Sequence, residues 1–162
     1  MNNIGQKGEH IVREYMRRVG YNVTPAPDCK FYDYDMECHN WEASFTIEVK
    51  TDVSAYKHAK RRGKPDNVRL FIEYWNDTMD EPSGIAASVA EYYFYLIVNP
   101  DNDVECNVFK RDELHQYLID SDTHSHTLVP FHNDHQTTGW LPNLDDLVAN
   151  NVVKRQFLID KW

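Results

Sequence analysis

Seven consecutive residues, Tyr92-Tyr93-Phe94-Tyr95-Leu96-Ile97-Val98, carry no charge and no turn former. With Glu91 before the run and Asn99-Pro100-Asp101-Asn102 closing it, the stretch Glu91–Val98 reads as a strand buried on both faces. Such a strand lies inside a sheet with a layer packed on each side. The expected architecture is therefore α/β, a single domain over residues 1–162 with a central mixed β-sheet flanked by helices.

The first layer is legible at the start of the chain. Ile4, Ile11, Val12, Tyr15, Met16 and Val19 fall at helical spacing from Asn3 onward, and Gly20 supplies the stop. Glu9 lies on the shoulder of that apolar stripe, where it can lean toward whatever the helix packs on or stay a surface acid. Short strands are expected at Tyr21–Thr24 and Cys106–Phe109, with longer ones at Tyr32–His39 and Val68–Trp75. Helices are expected near Ile85–Ala90, Arg111–Ile119 and Leu144–Ala149. Toward the end come a strand at Thr127–Phe131, a polar loop up to Gly139 and a last apolar run at Phe157–Ile159.

The stretch that carries chemistry is Ser44-Phe45-Thr46-Ile47-Glu48-Val49-Lys50-Thr51. Its alternation sends Phe45, Ile47 and Val49 toward a core and Thr46, Glu48 and Lys50 to the other face. Glu48 and Lys50 then stand about 7 Å apart along the strand, at roughly 3.3 Å per residue. A carboxylate and an ammonium so placed can hold a divalent cation beside a phosphate or a water. On its own, Glu-x-Lys is more often the solvated face of a strand, or part of an ion-pair lattice worth under about 1 kcal/mol per pair.

Two neighbouring segments bear on the choice. In the preceding strand Asp33, Asp35 and Glu37 share one face, and their mutual repulsion is tolerated when a cation or water screens them. After the Glu48–Lys50 strand, residues 52–66 are rich in base (Lys57, Lys60, Arg61, Arg62, Lys64), with Gly63 and Pro65 marking a loop or a short helix followed by a loop. That segment can contact phosphates without reading sequence, or simply be solvated.

Composition sets the outer bounds. The formal net charge of −9 argues against a protein that coats nucleic acid through bulk electrostatics, yet clustered acids are what bind a metal. Cys29, Cys38 and Cys106 match neither a paired framework nor a metal knuckle, so a reducing cytoplasm and structural thiols are expected. No run of about 18 apolar residues is present, and no membrane partner is expected. His115, His124, His126, His132 and His135 have spacings that fit a polar loop better than a zinc site.

Taken in order, Gly8-Glu9 in the first helix, Asp35 on the second strand and Glu48-Val49-Lys50 on the third resemble the PD-(D/E)xK nuclease superfamily, which includes many restriction enzymes and junction resolvases. Leu70-Phe71-Ile72-Glu73-Tyr74 and Pro82-Ser83-Gly84-Ile85 resemble stretches of small phage-encoded members. The likeness covers the chain to about Asn99. It departs where Tyr34 stands in place of the expected Pro, which leaves Asp33 as a rival to Asp35.

The resemblance implies a restriction-endonuclease-like fold and a Mg²⁺-dependent endonuclease acting on DNA, with Mn²⁺ able to substitute and a homodimer possible. It further implies a cytoplasmic location, the host's if a phage encodes the chain. Hard divalent cations prefer carboxylate oxygens, so Asp35 and Glu48 are the expected principal ligands, with the Val49 carbonyl and Glu9 as further ones. Lys50 orients the attacking water or offsets phosphate charge. Glu73 is left open between ligand and satisfied acid. Two alternatives come from other classes: an inactive binding module on the same fold, and an acidic protein that mimics DNA.

Overall fold

The computed structural model describes residues 3–27, 33–121, 126–130 and 136–162. Helix α1 (Ile4–Arg18) starts at Asn3, whose side-chain oxygen accepts from the Gly5 N–H at 3.0 Å. It ends at Gly20, whose φ of +101° is a left-handed conformation that suits glycine. There Tyr21 N–H returns to the Met16 carbonyl at 3.0 Å. Both ends fall where capping chemistry puts them.

Two sheets follow. The larger has the order β1 (Asn22–Pro25), β2 (Met36–His39), β3 (Ser44–Asp52), β6 (Tyr92–Val98), β7 (Asp103–Lys110) and β10 (Val153–Lys161). Its β3–β6 pair is parallel and the others antiparallel, so the sheet is mixed and the fold α/β. Strand β6 lies inside it, with Tyr93, Phe94, Tyr95, Leu96 and Ile97 all buried. On one face Ile11, Val12 and Met16 of α1 pack against Met36, Ile47, Val49, Phe94 and Leu96.

The second face differs from the expectation of helices alone. A four-stranded antiparallel sheet, in the order β5 (Glu81–Pro82), β4 (Ile72–Asn76), β9 (Gln136–Trp140) and β8 (His126–Pro130), shares that side with α2 (Ala55–Arg61), α3 (Gly84–Ala87), α4 (Arg111–Asp120) and α5 (Leu144–Ala149). Ile72 and Trp140 of this sheet join Tyr93, Tyr95, Ile97 and Phe109 of the larger one in a second core.

Several boundaries move. Residues 136–140 form β9 instead of the tail of a polar loop, because Thr137, Gly139 and Trp140 are buried against β4. Within the expected strand at Val68–Trp75, β4 begins only at Ile72, and a register shift between Glu73 and Trp75 breaks the alternation read from sequence. Strands β7 and β10 run longer than their apolar centres because backbone pairing with a neighbour carries polar residues along. Among the described residues no helix is long and apolar enough to cross a membrane.

Candidate active site

The site is built on an unpaired edge. Strand β2 pairs with β3 from His39↔Ser44 to Met36↔Ile47, and no described strand follows β3 on that side past Ile47. Asp35 fills the gap from a bend just before β2. Its N–H donates to the Ile47 carbonyl at 2.9 Å, and its Oδ2 accepts from the Val49 N–H at 2.6 Å. Strand geometry turns the N–H and carbonyl of one residue to the same side, so the Val49 carbonyl faces this edge too.

Glu48 and Lys50 leave β3 on the face opposite α1, as the alternation requires. The Glu48 side chain is 15% exposed and Lys50 39%, with Nζ 3.8 Å from Glu48 Oε1. Glu9 arrives from α1. Its approach depends on Gly8, where a Cβ would stand 1.9 Å from Thr51 Oγ1 and 3.3 Å from Leu96 Cδ1. Only a glycine lets the helix backbone come this close to β3, and the next residue is the acid. Because the sheet is open at this edge, groups from its two faces feel one another.

The electrostatics record that proximity. Burial, then Asp35, push the Glu48 carboxyl up to about 8, with Glu9 and Asp33 adding to the shift; Lys50 opposes it without offsetting it. Glu9 is raised by burial and by Asp35, against Arg13 and Lys50. Asp35 is raised by burial, with the Val49 N–H and Lys50 pulling the other way. Carboxyls from three elements therefore share one poorly solvated place and resist ionising together. A hard cation is the partner such a donor set suits. No three described His, Cys, Asp or Glu side chains are already arranged to hold an ion. Here Asp35 holds the Val49 N–H and Glu48 faces Lys50.

The remaining expected residues sort by position. Asp33 is exposed, and its contribution to the fold is a carbonyl that accepts from Ser88 Oγ at 2.8 Å and Val89 N–H at 3.2 Å. Asp33 and Asp35 do not continue a strand with Glu37, since β2 starts at Met36; Glu37 accepts from Ser44 Oγ at 3.3 Å instead. Glu73 sits at the β4 irregularity with its backbone against Gly84, where a Cβ would be 2.3 Å from its carbonyl oxygen.

The basic segment is a helix followed by a loop. Asp52 Oδ1 accepts from the Ser54 N–H at 2.7 Å, turning β3 directly into α2. Ala55 and Ala59 bury one side of α2, and the Tyr56 hydroxyl donates to the Glu105 carboxylate at 2.8 Å. Lys57, Lys60, Arg61 and Lys64 stand exposed. Arg62 is exposed as well, and its guanidinium also donates to the Asn67 carbonyl at 2.7 Å across the loop. His115 packs edge-on against Trp140, ring centroids 5.9 Å apart, while Cys29, His124, His132 and His135 lie outside the described residues. The side chain of His126 lies outside them too.

One residue near the site has no signal in the sequence. Tyr93, inside the apolar run and read as core, is the β6 partner of Glu48.

No protein-family model and no curated protein matches the chain. The fold is similar to that of a solved structure. That structure is of a bacterial homing endonuclease, I-Ssp6803I, similar over 74% of this chain and 78% of that one, with a TM-score of 0.50 and 14% identity. At that identity the likeness concerns the fold.

Proposed function

We propose that this chain is a metal-dependent DNA nuclease of the PD-(D/E)xK type. The observation that carries the reading is Asp35 seated on the open edge of β3 with its Oδ2 on the Val49 N–H, flanked on that strand by Glu48 and Lys50 3.8 Å apart; the influence of Glu9 and Asp35 on the Glu48 carboxyl supports it. The fold shared with a homing endonuclease supports it and supports endonucleolytic cleavage of DNA.

Asp35, Glu48 and the Val49 carbonyl would hold Mg²⁺ or Mn²⁺, with Glu9 as a further ligand. A bound divalent cation supplies Lewis-acid charge at the scissile phosphate and lowers the pKa of a bound water. Lys50, whose Nζ lies 3.8 Å from Glu48 Oε1, would offset charge on a phosphate oxygen or orient the attacking water beside that ion. The exposed bases of α2 lie one Asx turn beyond β3 and would grip flanking phosphates.

The test is incubation of supercoiled, linear, single-stranded and four-way-junction DNA with Mg²⁺ or Mn²⁺. Wild type is expected to cut at least one of them. Lys50→Ala and Glu48→Gln are expected to lose at least about 100-fold while keeping the wild-type circular dichroism spectrum. A folded wild type that binds DNA and cuts none would replace this reading with that of an inactive binding module.

A further inference from the structure

Tyr93 is fully buried, and its hydroxyl has no hydrogen-bond partner among the described residues. Roughly nine in ten or more buried polar groups in folded proteins are paired, so an orphan hydroxyl marks a place where a partner arrives. The sheet fixes which partner. Tyr93 is opposite Glu48 in the β3–β6 register, so the two side chains leave strands about 4.8 Å apart on the same face.

Tyr95, two residues on, extends across the second core until its hydroxyl accepts from the Phe71 N–H at 3.1 Å. The Tyr93 ring lies alongside, centroids 6.5 Å apart, so it enters the same core. Burial first, then the charge of Glu48, keeps the phenol protonated, so toward a carboxylate it is the donor.

We propose that Tyr93 is a positioning residue whose hydroxyl donates to the Glu48 carboxylate when that carboxylate holds a divalent cation. This rests on the nuclease reading above. Among the described residues nothing bonds the hydroxyl, so its removal costs the fold none of the hydrogen bonds seen there.

Tyr93→Phe deletes one oxygen and keeps the volume. Calorimetric titration of the DNA-free protein with Mg²⁺ at fixed pH is expected to show affinity about tenfold or more below wild type, as for loss of an outer partner of a metal ligand. The metal-free melting temperature is expected to hold or rise, since no bond is lost. Affinity within twofold of wild type, or a metal-free melting temperature several degrees lower, would overturn the assignment. Glu48→Gln is the control. If it loses Mg²⁺ and Tyr93→Phe does not, only the Tyr93 role falls; a wild type that takes up neither Mg²⁺ nor Mn²⁺ takes the nuclease reading with it.

Discussion

The Val49 N–H donates to Asp35 Oδ2 at 2.6 Å, so one carboxylate does the work of a missing strand. It caps the amide that β2 leaves unpaired. Asp35→Asn keeps an acceptor there and should fold normally while losing metal affinity and cleavage. Asp35→Ala should cost about 1–3 kcal/mol in addition, the usual penalty for a stranded donor. Urea denaturation of the two variants separates the effects.

Stability should fall with rising pH in the metal-free protein. Glu48 is raised from 4.5 to about 8, so the folded state holds its proton where the unfolded chain has released it. That contribution is complete below the unfolded value and is lost as pH rises through the folded one. Melting temperatures between pH 4.5 and 8 should therefore decline, with Glu48→Gln declining less. An equal slope in the two proteins would remove Glu48 as the source.

Gly8→Ala should destabilise by about 1–3 kcal/mol through overpacking, or roughly 3–10 °C in a chain of this size. The added Cβ meets Thr51 Oγ1 on a β-branched side chain that cannot swing far. Adding Thr51→Ala should restore part of the loss. A thermal melt of single and double variants measures the coupling.

The exposed bases of α2 should act on binding without touching stability. Lys57→Ala, Lys60→Ala and Arg61→Ala together should weaken DNA binding and flatten its salt dependence by up to about one unit of log–log slope per lost phosphate contact. Their melting temperature should stay near wild type. Arg62→Ala should instead loosen the loop it closes on Asn67. Fluorescence anisotropy across a salt series distinguishes the two kinds of arginine.

Much of the frame can be read along the chain because its signals are local. The cap at Asn3, the stop at Gly20, the alternation through Phe45, Ile47 and Val49, and the run from Tyr92 to Val98 each depend on residues a few positions apart. The second sheet is legible only in part: the strands expected at Val68–Trp75 and Thr127–Phe131 meet β4 and β8, while β9 is not visible along the chain. Residues up to Gly139 look polar and loop-like until β4 is beside them, and β4 itself changes register within its own length.

The same division holds at the site. The spacing of Glu48 and Lys50 fixed which face they share, because strand geometry has a period of two residues. What brings Glu9 and Asp35 to them is a β2 that stops at Met36 and a glycine-thin contact between α1 and Thr51. That Tyr93 adjoins Glu48 follows from the β3–β6 pairing alone. Those relations join residues far apart in the chain, so only packing decides them.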